Sequence, residues 1–469
     1  MNRLKSYALF SLSTLVLLLF AAPALAGSAK GASLTVYNSG RALVKETRTV
    51  NLPKGLASVV FKDVPRTMDP TSVHASAKGM KVFDLQYSYN PITTKNLLDS
   101  YVGKELTVIL PDPAEVNGRI LKKGTLLSNV DKPIFMVGNE VYVGNYSALL
   151  LPELPKDLQR EATLTLTTDN QAAAKRGVLL SYLMGGIQWR ADYTLTLDSK
   201  GETCSLDAWA TITNTSGRAF SNTALKLVAG DVQRANGGRR NVYAKSAVMM
   251  ESAQMDAMPA PVEEQFSQYH VYTVPRKVEL APSGTKQLSL FYAPKVKVEQ
   301  ELVSRFDGNA RRYGGKTKQA VSASLKLINI DKNGLGRPMP GGLVRVFMPT
   351  KDGSQLLAGE SQINHVGRGS EVRLSLGRAF DVKVERSQTV YKKLGKQSFE
   401  MSWSIKLING KDKAQAIKLR DTYSGQWKVI SADAKYAKPD AGSIEFDLTV
   451  PPTKNGTPMV VNYTVQVTY

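Results

Sequence analysis

Residues 177–232 read GVLLSYLMGGIQWRADYTLTLDSKGETCSLDAWATITNTSGRAFSNTALKLVAGDV. Trp189, Ala191, Tyr193, Leu195 and Leu197 share one phase of a two-residue period, and Arg190, Asp192, Thr194, Thr196 and Asp198 share the other, which is the pattern of a strand buried on one face. The turn Asp198-Ser199-Lys200-Gly201 follows. Then Cys204, Leu206, Ala208, Ala210 and Ile212 alternate with Ser205, Asp207, Trp209, Thr211 and Thr213 as a second strand. After Asn214-Thr215-Ser216-Gly217, Leu225 and Leu227 open a third. The spacing predicts three antiparallel strands forming one surface, which needs a second sheet to cover it.

The same alternation fills most of the chain on either side. Residues 33–65, SLTVYNSGRALVKETRTVNLPKGLASVVFKDVP, are three strands punctuated by Asn38-Ser39-Gly40 and Pro53-Lys54-Gly55, and Met80–Tyr89 adds another. One short helix is predicted over 94–101, with Thr94 as its cap. The runs ELTVIL, NGRILK, PIFMVG, EVYVGN and ALLLPEL, between 105 and 154, read as a series of strands of four to six residues, and that spacing suits a small closed barrel inserted between flanking strands. Near the C-terminus, Phe399, Met401, Trp403, Ile405 and Leu407 alternate with polar residues, as do Ile444, Phe446, Leu448 and Val450. Three strands end alike in asparagine before a polar loop: ATITN at Asn214, LKLIN at Asn329 and IKLIN at Asn409, a weak internal repeat. The expected fold is all-β: several antiparallel β-sandwich domains of immunoglobulin-like type with a small inserted β-barrel. The expected boundaries are a leader over 1–26, an N-terminal β domain over 27–94 continuing at 156–175, the barrel over 95–155, a central sandwich over 176–379 and a C-terminal sandwich over 380–469.

Export is expected from the first residues. Arg3 and Lys5 precede an apolar run from Ala8 to Ala22, and Ala24-Leu25-Ala26 is a small-x-small cleavage site, so the mature chain is predicted to begin at Gly27 in the periplasm or at the cell surface. The apolar run is shorter than the ~20 residues that span a bilayer, and no later stretch is long enough to do so. Arg3 and Lys5 would leave with the leader, lowering the formal charge of +21 by two. A cation this strong suits anionic partners. With Cys204 as the only cysteine no intramolecular disulfide forms, and its place beside Leu206 in the apolar phase makes it a buried hydrophobe.

Residues 236–265 carry neither hydrophobic period and are predicted to be a mobile loop within the central sandwich. Met249, Met250, Met255 and Met258 lie in it, but no histidine or cysteine stands nearby to complete a soft metal site. His74, His270 and His365 are far apart, and no H-E-x-x-H, G-x-S-x-G, phosphate-loop or dinucleotide motif occurs. The expectation is therefore a protein without catalytic residues, metal or cofactor. Carboxylate-pair chemistry leaves no local signature, so an envelope glycan-active enzyme stays open as a third reading. An outer-membrane β-barrel is the second, suggested by the alternating last strand that ends on Tyr469. Basic residues gather beside glycine pairs in two segments: Arg239 and Arg240 next to Gly237-Gly238, and Arg311, Arg312, Lys316 and Lys318 around Gly314-Gly315. Guanidinium forks and free backbone amides together suit phosphate or carboxylate, so these six are the candidate polyanion-binding residues.

GVLLSYLMGGIQWRADYTLTL, its WATITNTSG and LKLVAGDV continuation, GLGRPMPGGLVRVF, the following GE and LGRAFDVKVER together resemble the bacterial domain-of-unknown-function 4139 family, related to mucoidy-inhibitor-like envelope proteins. The resemblance spans nearly the whole predicted mature chain. It implies an exported, β-rich envelope protein whose activity is not established, and it carries over no catalytic residue. The leading expectation, set beside it by the positive charge, is a non-catalytic protein that binds or organises anionic envelope polymer or other envelope proteins. Members of that group often have a coiled coil near the N-terminus. Here no heptads occur, and the barrel-like stretch stands in that place.

Overall fold

The computed structural model describes residues 24–469 apart from 113, 116, 159–160, 231–260, 267, 310 and 454–455. The described chain is all-β, with five separate sheets and a single α-helix, Thr94–Tyr101. None of the five closes on itself, so neither the inserted barrel nor an outer-membrane barrel has a closed sheet among the described residues.

The strands Ile187–Leu197 and Thr203–Asn214 form the expected hairpin, in antiparallel register from Ile187↔Asn214 to Leu197↔Cys204, and every residue assigned to the apolar phase is buried. The third strand departs from expectation. Phe220–Ala229 leaves this sheet and pairs in parallel with Ala24–Tyr37, with Leu34 opposite Leu225, in an eleven-stranded sheet. Ala174–Met184, just before the hairpin, also joins that sheet, antiparallel to Arg41–Leu52. The physical reason is that a two-residue period states which face is buried and is silent on the neighbouring strand. The stretch 177–232 thus supplies strands to both layers of a sandwich, and one hydrophobic core lies between them.

Trp189 joins the layers. Its indole Nε1 donates to the backbone carbonyl of Val228 at 3.0 Å, and its ring meets Tyr272 edge-on at 6.0 Å. Tyr193, two residues on, donates its hydroxyl to the carbonyl of Pro340 at 2.7 Å. Trp189→Ala is expected to cost about 3–5 kcal/mol, through lost burial and the cavity left behind. Arg190→Ala should cost about 1 kcal/mol or less, since the Arg190 side chain is half exposed and its partner Asp192, which the structure buries although it shares the polar phase, keeps the Thr211 hydroxyl and Arg345 as partners. Denaturant melts of the two variants check this, and equal shifts would mean that the faces are misassigned.

The insertion differs from the expected barrel. Its strands run in the order Ala148–Leu150, Glu105–Pro111, Arg119–Ser128, Ile134–Val137, Glu140–Tyr142, an open sheet. Closure requires tilted strands whose stagger carries the ladder around the ring, and edge strands of three residues are too short for that. The helix packs its buried residues Leu98 and Tyr101 on Leu106, Val108, Leu126 and Phe135, giving this module its own core. Thr93 is the cap, one residue earlier than expected: its Oγ1 accepts from the Asn96 amide at 3.1 Å.

The predicted loop 236–265 ends sooner than its composition suggests. Val262–Phe266 is a strand, paired antiparallel with Tyr269–Thr273 at the edge of the eleven-stranded sheet, while 231–260, with its four methionines, lies outside the described residues. The leader lies outside them too, except that the first described strand, Ala24–Tyr37, begins on Ala24-Leu25-Ala26. The boundary expected at 175/176 falls inside Ala174–Met184. A further core fills the C-terminal sandwich, between the six-stranded sheet and the sheet containing Val382–Lys393, Ser398–Asn409 and Met459–Thr468.

The three terminal asparagines share one arrangement. Each is buried, its Nδ2 donates to two backbone carbonyls from different segments, and its Oδ1 accepts a loop amide. Asn214 reaches Arg218 O and Ala281 O and accepts from Ser216. Asn329 reaches Arg337 O and Gly367 O and accepts from Arg337. Asn409 reaches Lys413 O and Val450 O and accepts from Lys411. A side chain that satisfies otherwise unpaired backbone groups where a strand stops explains why the same residue recurs at those three ends.

Candidate anion-binding edge

The next-to-last residue of the strand Glu299–Asp307 is Phe306, whose ring stands 5.6 Å from Tyr313 and 4.9 Å from Trp403 in the C-terminal core. Tyr313 packs on Trp403 at 5.3 Å and donates its hydroxyl to Asp307 O at 3.2 Å. Gln388 holds the same loop from the side: its Oε1 accepts from the Tyr313 amide at 2.9 Å and its Nε2 donates to Arg311 O at 3.0 Å. An aromatic anchor and a two-point amide clamp therefore fix a basic loop that composition alone would leave free.

Beyond Gly314-Gly315 the chain becomes Lys316–Gln319, the edge strand of the five-stranded C-terminal sheet, with Lys316 opposite Ser387 and Lys318 opposite Glu385. Arg311, Arg312, Lys316 and Lys318 are all exposed, and none forms an ion pair among the described residues. The Arg311 guanidinium lies 4.7 Å from the Tyr313 ring, and that of Arg312 lies 6.0 Å from Tyr391. Stacking on a ring leaves the outer N–H groups of an arginine free for a carboxylate or phosphate. Lysines on an edge strand also discourage pairing with another chain. Four of the six candidate residues thus share one loop and edge, whereas Arg239 and Arg240 lie outside the described residues.

Two buried polar networks went unnoticed in the sequence. In the first, Glu46 accepts from Arg48 (Nη2, 3.0 Å) and from Arg218 (Nη2, 2.7 Å), and Arg218 Nη1 donates to Tyr182 Oη at 2.6 Å. Burial alone would raise the Glu46 carboxyl, but Arg218 and Arg48 outweigh it and hold the group below its ordinary value. In the second, Arg386 donates to Asp421 at 2.8 Å, and Tyr463 donates to the other oxygen of that carboxylate. Both networks have a legible sign: Glu46 and Arg48 sit in the same phase as Val44 and Val50, and Arg386 in that of Val382 and Val384.

Cys204 is buried, and burial pushes its thiol up to about 12, so it stays protonated and unreactive at neutral pH. Among the described residues no three His, Cys, Asp or Glu side chains gather to hold a metal, and no helix is long and apolar enough to cross a membrane.

Residues 178–336 match the family model of a domain of unknown function (DUF4139), and residues 34–102 match an N-terminal domain of unknown function (DUF4140). No curated protein matches the chain. The two matched segments contribute to the one large core, and the basic loop and edge strand fall inside the longer match.

Proposed function

Because the chain belongs to the family of the domain of unknown function DUF4139, its activity has to be argued from its own surface, and we propose that it is an exported, non-catalytic cell-envelope protein that binds anionic envelope polymer through its basic edge. The observation that carries this reading is the row of four exposed cations, Arg311, Arg312, Lys316 and Lys318, that have no acidic partner among the described residues and stand on a loop and edge pinned by Tyr313 and Gln388. Fixing the loop in advance lowers the ordering cost of binding. The leader-like residues 1–26 and the formal charge of +21 support the same reading.

The test replaces all six candidates, Arg239, Arg240, Arg311, Arg312, Lys316 and Lys318, by Ser or Gln in the exported chain, whose intact mass should place its N-terminus at Gly27. Each basic residue near an anionic surface contributes about 1 kcal/mol. Losing two or more such contacts should weaken binding to lipopolysaccharide or an acidic polysaccharide by about tenfold or more and flatten its salt dependence. Unchanged affinity and salt slope in a folded variant would end the polymer reading and leave scaffolding of other envelope proteins in its place.

A further inference from the structure

At one end of the C-terminal sandwich the chain changes sheets twice. Lys316–Gln319 passes through Ala320 into Val321–Ile328 of the six-stranded sheet, and Glu371–Arg378 returns through residues 379–381 into Val382–Lys393 of the five-stranded one. The two crossovers are tied together where the Ala379 amide donates to Val321 O at 2.8 Å. Between them lies a shallow cavity of about 350 Å³ with Val321 and Val382, both buried, among its walls.

Lys318, Arg378, Phe380 and Lys383 also line it. All four are exposed, and none of the three cations forms an ion pair among the described residues. Glu385, opposite Lys318, and Asp381, next to Phe380, form none either. Phe380 is 86% exposed on a three-residue connection, where nothing in the fold requires an aromatic side chain. The Lys383 ammonium stands 6.0 Å from its ring. A bare inorganic anion would have no use for the phenyl ring, and an apolar ligand would have none for three unpaired cations. A pyranose bearing an acidic group uses both, because its C–H face packs on an aromatic ring while its carboxylate or phosphate meets the cations.

We propose that the cavity between these crossovers binds one anionic sugar unit, with Phe380 against the ring face and Lys318, Arg378 and Lys383 at its carboxylate or phosphate. This rests on the polymer-binding reading above and adds to it a defined site and the chemistry of the unit held there.

The experiment titrates the full exported chain by calorimetry with a galacturonate tetramer, mannose 6-phosphate, cellotetraose and AMP. One or both anionic sugars should bind, showing which acid the site takes, and cellotetraose should not. Phe380→Ala should weaken sugar binding by about three- to tenfold, and Phe380→Tyr should restore it. Arg378→Gln with Lys383→Gln should weaken it about tenfold or more. Binding that is unaffected by Phe380→Ala, or AMP binding more tightly than either anionic sugar, would overturn the site. A variant neutral at Arg239, Arg240, Arg311, Arg312 and Lys316 but retaining Lys318 separates the two ideas. If it loses polymer while the cavity variants bind as wild type, the edge stands and the cavity does not. If it keeps both polymer and sugars while the cavity variants lose the sugars, the cavity stands and the edge does not. Binding of no anionic sugar by the wild-type chain would overturn the cavity, and loss of polymer binding as well would overturn both.

Discussion

Glu46→Ala is expected to destabilise the large core by about 3–5 kcal/mol, the range for removing one partner of a buried ionic group. Among the described residues, Glu46 is the only carboxylate fully inside the network. It accepts from both Arg48 and Arg218, whose side chains are almost wholly inaccessible, while Asp63, 3.6 Å from Arg218 Nε, is largely exposed. Without Glu46 two guanidinium groups remain in the core with carbonyls and a tyrosine hydroxyl as their main partners. The loss is a large fraction of the 5–15 kcal/mol that holds a domain together. Backbone hydrogen exchange resolves it: peptides from Arg41–Leu52 and Ala174–Met184 should lose protection, and those from Ser398–Asn409, in a different core, should not. Because its partners hold the Glu46 carboxyl below the ordinary value of 4.5, its contribution is complete above that pH and is lost as pH falls through the lowered value. Acid should therefore loosen the wild-type core below about pH 4.5, and Glu46→Gln should remove that part of the pH dependence. Identical exchange in Glu46→Ala and wild type would show that the arginines find other partners.

Strand periodicity made the buried faces legible almost residue by residue, from Trp189 to Val467, because alternation is a local property of the pleat. Pairing is not local. Nothing within Phe220–Ala229 says that it runs parallel to Ala24–Tyr37 rather than beside Thr203–Asn214, and the open insertion looked like a barrel because closure depends on stagger rather than on strand count. The asparagine repeat was visible as a pattern, but its cause, two carbonyls from separate segments held by one side chain, needed the fold. Of the candidate binding residues, the sequence showed the basic loop without its anchor. Tyr313 is seventy-five residues from Gln388, and Arg378 and Lys383 meet Lys318 only through the two crossovers. The buried ionic residues were discoverable as charges in apolar phase. Their partners, 172 residues apart for Glu46 and Arg218, were not.

Arg386→Met is expected to cost about 3–5 kcal/mol at neutral pH, with a pH dependence opposite in sign to that at Glu46. Arg386 donates to Asp421 at 2.8 Å, to Tyr463 Oη at 3.3 Å and to Gln319 Oε1 at 3.3 Å, and its guanidinium lies 4.2 Å from the Phe306 ring and 5.3 Å from that of Trp403. Methionine retains much of the packing and removes the charge. Asp421 is then fully buried with only the Tyr463 hydroxyl at its carboxylate. Burial already raises its carboxyl above the ordinary 3.8 despite the pull of Arg386, and removing that pull raises it further. A carboxyl raised in the folded state stabilises fully below its unfolded value, and that contribution is lost as pH rises through the folded one. The variant should therefore be nearly as stable as wild type in mild acid and weaken toward neutrality, as followed by the fluorescence of Trp403 and Trp427, both in this core. Adding Asp421→Leu should restore most of the loss, since a buried ion pair replaced as a unit by apolar groups of similar size is often neutral or stabilising. A double variant no more stable than Arg386→Met would mean that the network holds the core by its geometry. In that case the Gln319 contact, next to Lys318 on the basic edge, is the part of the network to test for polymer binding.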